Sequence, residues 1–235
     1  MIPIQDTPER QRRSLPVVTL ALILVNVAVF TYELTLGPAL PRFVQSYGTI
    51  PLEITTGRPL TSSTPSFVYL TLLTAMFIHG GFLHIGGNML FLWIFGDNVE
   101  DSLGHFLFLG FYLLCGVIAG LVQVAIAPLS TIPSIGASGA IAGVLAGYLL
   151  LFPSATIRTL LLIGPFLTFS RLSAILMIGA WFIFQLISGV AELASNTTTG
   201  TGVAFWAHVG GFGVGLAAVG LWRVITHYQT RAPAP

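Results

Sequence analysis

Long apolar runs, separated by short polar segments, are the dominant pattern along this chain. A helix that crosses a bilayer needs about 20 mostly apolar residues, with a range near 17 to 25. The runs that approach this length predict six transmembrane helices, at about 15–34, 84–100, 105–127, 137–152, 172–192 and 204–225. The pattern therefore predicts an all-α membrane protein, built as a bundle of six transmembrane helices.

Two further apolar runs are too short to cross a bilayer as single helices. The first, residues 66–78, lies within a long proline-rich segment, 35–83, that follows the first helix. We expect this segment to pack as a structured, membrane-associated outer loop, since a connection of this length is seldom without structure. The second run, 155–169, is interrupted by Gly164 and Pro165, and we expect it to form an interfacial loop.

The distribution of arginine gives the predicted helices an orientation. Seven of the nine arginines fall on one side if the N-terminus is cytoplasmic, and only Arg42 and Arg58 fall on the other. This asymmetry follows the positive-inside rule. It predicts a cytoplasmic N-terminal segment at 1–14, a membrane domain at 15–226 and a short cytoplasmic tail at 227–235.

Composition agrees with a membrane protein and argues against several other classes. Hydrophobic residues make up 54% of the chain and charged residues 7%, against about 25% charged in soluble domains. The net charge of +1 gives no indication of nucleic-acid binding. The single cysteine, Cys115, is compatible with neither a disulfide framework nor a metal site, and no cofactor is expected.

Four polar side chains are predicted to gather beneath the outer face, because helices two, four and six all enter the membrane from that side. Ser138 lies in the first turn of helix four, and His208 lies four residues into helix six, roughly 6 Å down. His84 begins helix two, and Asn88 lies one turn deeper. A hydroxyl and an imidazole in an apolar environment are costly without partners, so we expect Ser138 and His208 to meet.

A serine that is hydrogen-bonded to a histidine is a nucleophile with its general base. We expect His208 to take the proton of Ser138 and to return it to a leaving amine. The backbone N–H of Ser138, at a helix N-terminus, together with Asn88 and His84, could stabilise the oxyanion that forms. Glu192 is the nearest carboxylate but is better interpreted as a charge at a helix end, so a Ser-His dyad is favoured over a triad.

Glycines near these side chains predict close helix packing. Gly139 and Gly143 in helix four, and Gly211 and Gly215 in helix six, form rows of small residues that let two backbones approach in lipid. Gly136, two residues before the serine, would let the backbone approach a substrate. If these rows face each other, helix packing itself brings Ser138 towards His208.

Several short motifs resemble those of the rhomboid intramembrane serine proteases. They are Gly-x-Ser-Gly at 136–139, His-x-x-x-Asn at 84–88, Glu-x-x-x-Gly at 100–104, and His208 followed by Gly211 and Gly215. The resemblance extends from about residue 15 to 226. Each motif is weak alone, but their order and their placement on the helices are specific. The Trp-Arg pair that some members carry in the first loop is absent, which leaves the detail of that loop open.

The resemblance implies cleavage of single-span membrane proteins within or beside their transmembrane segment. Ser138 would be the nucleophile and His208 the base, while His84, Asn88 and the Ser138 amide would form the oxyanion hole. Helix five and the loop after it would form the substrate gate. The expected partners are transmembrane substrates and the lipid bilayer, the oligomeric state stays open, and a six-helix form suggests a bacterial inner membrane.

Two other functions were considered for the same residues. A non-catalytic rhomboid-like binding protein is disfavoured because such relatives typically lack the serine or the histidine, and both are present here. A metal-dependent enzyme or transporter using His79, His84 and His208 is disfavoured because no His-Glu-x-x-His motif exists and no carboxylate accompanies them. The sequence Asn196-Thr197-Thr198 fits an N-glycosylation acceptor motif, but we do not expect it to carry a sugar.

Overall fold

The computed structural model describes residues 1–7, 14–163, 166–194 and 203–231. Nine helices and three strands occur in these ranges. The helices are α1 (Val17–Thr35), α2 (Leu40–Tyr47), α3 (Pro51–Thr56), α4 (Thr71–Thr74), α5 (Phe82–Leu103), α6 (His105–Ile126), α7 (Ser138–Leu151), α8 (Ala174–Ala194) and α9 (Phe205–Arg231). The strands are β1 (Ile2–Thr7), β2 (Thr156–Ile163) and β3 (Phe166–Ser173).

The predicted helical membrane fold is confirmed, but the count of six spans is not. Four of the described helices, α1, α6, α8 and α9, are long and apolar enough to cross a membrane. Helix α5 qualifies only together with residues 68–77, from which it is bent by 83°. Its last turns carry three acidic residues, and α7 has only 14 residues. Length and composition therefore support four or five spans.

Helix α7 lies at the centre of the bundle. Every residue from Gly139 to Tyr148 is buried. The structure places its glycines against those of α9: a Cβ on Gly211 would overlap the carbonyl oxygen of Gly139, and a Cβ on Gly215 would overlap the backbone of Gly143. The two helices therefore pack backbone against backbone, which holds their first turns, with Ser138 and His208, side by side.

The first loop is structured by its own polar contacts. The buried carboxylate of Glu53 accepts hydrogen bonds from the Leu60 N–H at 2.7 Å and the Thr64 hydroxyl at 3.1 Å. A β-bridge between Thr49 and Ser134 joins this loop to the connection that precedes α7. These contacts place the loop beside the start of α7, while its association with the membrane stays a prediction.

Glu100, in the resemblance motif at 100–104, fixes the start of α1. Its carboxylate accepts the N–H groups of Val18 and Thr19 at 2.9 and 2.7 Å, and the Thr19 hydroxyl at 2.6 Å. A carboxylate at a helix N-terminus satisfies free N–H groups and complements the helix dipole. Gly104 follows at φ +82°, a conformation that favours glycine, and the chain turns there into α6.

A three-stranded antiparallel sheet, in the order β1-β2-β3, is the main difference from the predicted fold. The segment 155–169, predicted as an interfacial loop, instead forms most of the β2–β3 hairpin, so the all-α description applies to the bundle only. Along β2 the side chains alternate, with Ile157 and Thr159 buried and Arg158 exposed. Both ends of the hairpin lie at the same end of the bundle, so it does not add a crossing.

Strand β1 is attached to the bundle through Asp6. Its carboxylate accepts hydrogen bonds from the Tyr148 hydroxyl on α7 at 2.7 Å and from the Asn98 amide on α5 at 2.8 Å. Burial raises the pKa of Asp6 above its ordinary value. We call the end of the bundle that holds β1 and Asp6 the N-terminal side; Ser138 and His208 lie towards the opposite end of their helices.

Several sequence features lie outside the described residues. They are the arginines at positions 10, 12 and 13, the Gly164-Pro165 pair that interrupts the run 155–169, the N-glycosylation motif at 196–198, and the end of the tail beyond residue 231.

Candidate active site

Ser138 and His208 are in direct contact. Ser138 is the first residue of α7, and His208 lies in the first turn of α9. The Ser138 Oγ and His208 Nε2 atoms are 2.7 Å apart, although the residues are 70 positions apart in sequence. The histidine is buried, with 8% of its surface exposed. The contact is therefore a short hydrogen bond shielded from bulk water, as a nucleophile and its base require.

The other ring nitrogen of His208 contacts a residue that the sequence analysis did not select. Gln185, on α8, places its Oε1 2.8 Å from His208 Nδ1 and is itself buried. An amide oxygen only accepts hydrogen bonds, so this contact is a hydrogen bond when Nδ1 carries the ring hydrogen. The lone pair of Nε2 is then free to accept the Ser138 O–H. Trp181, also on α8, packs with its ring centroid 5.8 Å from that of His208.

His84 and Asn88 point towards the turn that precedes Ser138. A Cβ on Gly136 would lie 2.7 Å from His84 Nε2 and 3.7 Å from Asn88 Nδ2. His84 Nδ1 accepts the N–H of Gly80 at 3.2 Å, so the ring hydrogen is on Nε2 and faces this turn. Gly136 has φ +116°, which disfavours any residue with a side chain.

Asn88 Nδ2 faces this turn, and the N–H of Ser138 follows two residues after Gly136; neither has a partner in its own element. Asn88 Nδ2 is buried and donates no hydrogen bond to any residue that the structure describes. Ser138 begins α7, so its backbone N–H has no acceptor within the helix. A buried donor without an acceptor is costly, and such donors are typical of sites where charge develops during a reaction.

Ser138 lines a small pocket, and a larger cavity lies beside that pocket. The larger cavity, of about 480 Å³, lies between the connection before α7, the end of α8 and the start of α9. It shares Ser134, Ile135 and Ala204 with the pocket that Ser138 lines. Neither Ser138 nor His208 lines the larger cavity itself.

Glu192 and His79 lie outside the row of contacts formed by Ser138, His208 and Gln185. Glu192 lines the larger cavity, and it lies seven residues, about 10 Å, beyond Gln185 on α8. His79 packs on His84, with 5.0 Å between ring centroids, and its backbone N–H donates to Glu33 at 3.2 Å. Among the described residues, no group of three His, Cys, Asp or Glu side chains could hold a metal ion.

The chain belongs to the rhomboid family: the model of the rhomboid domain matches residues 66–225, more than half of its length. The predicted resemblance is thereby confirmed.

Relatives support the same family. The mitochondrial rhomboid protein 1 of Saccharomyces cerevisiae is 32% identical over 202 residues, which cover 83% of this chain and 50% of the relative. The human mitochondrial presenilin-associated rhomboid-like protein is 33% identical over 141 residues, 59% of this chain and 37% of the relative. The chloroplastic rhomboid-like protein 11 of Arabidopsis thaliana is 42% identical over 74 residues, 32% of this chain and 26% of the relative. The chain thus spans half or less of each of these relatives.

The predicted location in a bacterial inner membrane is wrong. The yeast and human relatives are mitochondrial proteins, and they point to a eukaryotic organellar membrane instead. The prediction rested on the small number of helices, which does not distinguish these membranes.

Proposed function

We propose that this chain is an intramembrane serine endopeptidase that cleaves single-span membrane proteins within or beside their transmembrane segment. The observation that supports this most directly is the 2.7 Å contact between Ser138 Oγ and His208 Nε2. With the ring hydrogen on Nδ1, towards Gln185 Oε1, Nε2 can accept the serine proton. Family membership supports the same activity.

The proposed first step is attack of Ser138 Oγ on the carbonyl carbon of the scissile peptide. As the bond from oxygen to carbon forms, the serine proton moves to His208 Nε2, and the carbonyl oxygen becomes an oxyanion. The Ser138 N–H, Asn88 Nδ2 and His84 Nε2 are the donors available on that side of the turn. One such donor is worth about 2.7–4 kcal/mol in the transition state.

The second half of the reaction returns the proton and uses water. The imidazolium of His208 gives its Nε2 proton to the leaving amine, the C–N bond breaks, and an acyl ester remains on Ser138. Water then attacks the carbonyl carbon of that ester while His208 takes a proton from it; the bond from the carbon to Ser138 Oγ breaks, His208 returns the proton to Oγ, and the carboxylic product is released. We propose the cavity of about 480 Å³ as the route of the substrate backbone, because it shares three lining residues with the pocket that Ser138 lines.

We further propose that six helices cross the membrane: α1, α5, α6, α7, α8 and α9, with the first loop associated with the bilayer. The β2–β3 hairpin returns to the side from which it starts, so α7 and α9 both begin at the same face. This arrangement keeps 15–226 as one membrane domain, with segments 1–14 and 227–235 on the N-terminal side.

Cleavage of a reconstituted substrate tests this proposal. The purified chain is placed in liposomes with a single-span model substrate that carries a reporter at each end, and products are located by mass spectrometry. Unmodified protein should cleave within or next to the substrate span. Ser138→Ala should give no product while keeping its thermal unfolding transition, and Ser173→Ala, at the other end of the bundle, should cleave normally. Cleavage by Ser138→Ala at the unmodified rate would contradict the proposal.

A further inference from the structure

Gln185 is unusual in its position. It is the one amide or charged side chain between Ala174 and Val190 in α8, and its surface is only 5% exposed. Polar side chains inside membrane helices are costly and are usually tied to function. Gln185 Oε1 lies 2.8 Å from His208 Nδ1, on the side of the ring away from Ser138. A line of three side chains, Ser138, His208 and Gln185, thus crosses from α7 through α9 to α8.

We propose that Gln185 is a positioning residue for the protease reaction: its amide oxygen accepts the Nδ1–H of His208 and thereby holds the imidazole in the tautomer that can take the proton of Ser138. The inference rests on the proposed function. Its contact with His208 lies on the side of the ring away from Ser138, so Gln185 acts on the nucleophile through His208.

The tautomer matters because neutral imidazole has only one acceptor nitrogen. With the hydrogen on Nε2, the ring would donate to Ser138 Oγ and could not accept its proton. In serine proteases whose orienting side chain favours the wrong tautomer, the rate falls by about 10⁴-fold. Loss of the hydrogen bond between Gln185 and His208 should therefore lower the reaction rate by a large factor.

An amide suits this position better than a carboxylate would. An ionised carboxylate beside a neutral histidine would be a buried charge without a cationic partner until the reaction begins. The amide oxygen accepts the same hydrogen bond without net charge, and its dipole still stabilises the imidazolium that forms. The side chains of Ser138, Trp181 and Gln185, which contact His208, are uncharged. His84 is the titratable group that interacts electrostatically with His208.

The tautomer of His208 in the unmodified protein is the first measurement. The protein is labelled with ¹⁵N-histidine in detergent, and the His208 signals are assigned by comparison with His208→Ala, since the chain holds only five histidines. The proposal predicts hydrogen on Nδ1 of His208. Hydrogen on Nε2 would overturn it, and this readout does not depend on activity.

Variants of Gln185 provide the second measurement. Gln185→Met removes the acceptor at similar volume and should slow fluorophosphonate labelling of Ser138 by about 10²-fold or more. Gln185→Glu keeps an acceptor, so it should restore labelling to within about tenfold and move the acid limb of the pH profile to higher pH, because a carboxylate stabilises the imidazolium.

Gln123→Met is the matched control. Gln123 Oε1 accepts the backbone N–H of Ala207, at 3.3 Å, one residue before His208. Its loss should lower stability without moving the pH profile or the His208 tautomer. Equal labelling profiles for Gln185→Met and Gln123→Met would overturn the inference about Gln185. Absence of labelling in the unmodified protein would instead contradict the proposed function, and the tautomer would still decide the role of Gln185.

Discussion

Asn88 is a buried side chain near the Ser138–His208 contact whose amide nitrogen lacks an acceptor. Its Nδ2 is buried, faces the turn at Gly136, and donates to none of the described residues. Because an oxyanion would supply that acceptor only as the reaction proceeds, Asn88→Ala should lower kcat by about 10²–10³-fold with little change in KM. Steady-state cleavage of the model substrate measures both quantities.

Asn98→Ala is the control for this prediction. Asn98 lies on the same helix, α5, but near the N-terminal side, where it donates to Asp6. Its loss should reduce thermal stability and leave kcat unchanged. If Asn88→Ala raised KM alone, Asn88 would belong to substrate binding and not to the oxyanion hole.

The sequence predicted these site residues to different degrees. Ser138, His208, His84 and Asn88 could be grouped because the order of apolar runs and the arginines gave each helix a direction. Gln185 was missed because only carboxylates were considered as partners for His208. Its polarity within an apolar run was a visible signal, but the sequence does not show which side of α8 faces α9.

At the scale of the helices, the glycine contact between α7 and α9 predicts a sharp difference between two neighbouring substitutions. Gly211→Ala would push a methyl group into the Gly139 carbonyl, so the helices must separate, at a cost of about 1–3 kcal/mol. The same separation would lengthen the contact between Ser138 and His208. Thermal unfolding in detergent and probe labelling should both be impaired.

Gly213→Ala is the matched control, two residues further along α9. A Cβ at Gly213 meets nothing within 4 Å. Alanine also favours helix over glycine by up to about 1 kcal/mol, so this variant should be as stable as the parent. Equal effects of the two substitutions would show that the close approach of α7 and α9 is not what holds the site together.

The attachment of β1 predicts a pH-dependent effect at Asp6. Asp6→Ala removes the acceptor for Tyr148 and Asn98 and should lower stability by about 1.5–3 kcal/mol, the range for hydrogen bonds to charged groups. Asp6→Asn keeps an acceptor without the charge. Since burial raises the folded-state pKa of Asp6, the folded protein favours the protonated form, and stability from this group declines as pH rises through that pKa.

Thermal unfolding across pH distinguishes these effects. Near neutral pH, Asp6→Asn should be at least as stable as the unmodified protein. That advantage should vanish below the ordinary carboxyl pKa of 3.8, where Asp6 is protonated in both states. A stability loss for Asp6→Asn that is largest near neutral pH would mean that the charge itself holds β1.

The sheet was the part of the fold that the sequence predicted least well. Pairing of β1 with β2 joins residues about 150 positions apart, such as Thr7 and Thr156, and no local pattern encodes it. Residues 155–169 are apolar, short and interrupted, so their periodicity does not separate strand from loop. Helix boundaries were closer, because an uninterrupted apolar run is a strong signal for a long helix.

In the whole molecule, Ser138 and His208 can meet in a bilayer only if the starts of α7 and α9 lie on one side of the membrane. Cys115 is the only cysteine and is buried, so a single introduced cysteine can report its own side. In oriented liposomes, Thr131→Cys and Val203→Cys should react with an impermeant maleimide from one side, and Ser14→Cys and Thr168→Cys from the other. Reaction of Thr131→Cys and Val203→Cys from opposite sides would place the starts of α7 and α9 on opposite sides of the membrane. That result would contradict the proposed site.

Fluorophosphonate labelling of the purified protein, with the modified peptide located by mass spectrometry, is the decisive experiment for the two proposed catalytic residues. We expect one modified residue, Ser138, and loss of that modification in His208→Ala protein that still unfolds cooperatively. Modification of another serine instead, or undiminished labelling of Ser138 without His208, would contradict the assignment of these two residues as nucleophile and base.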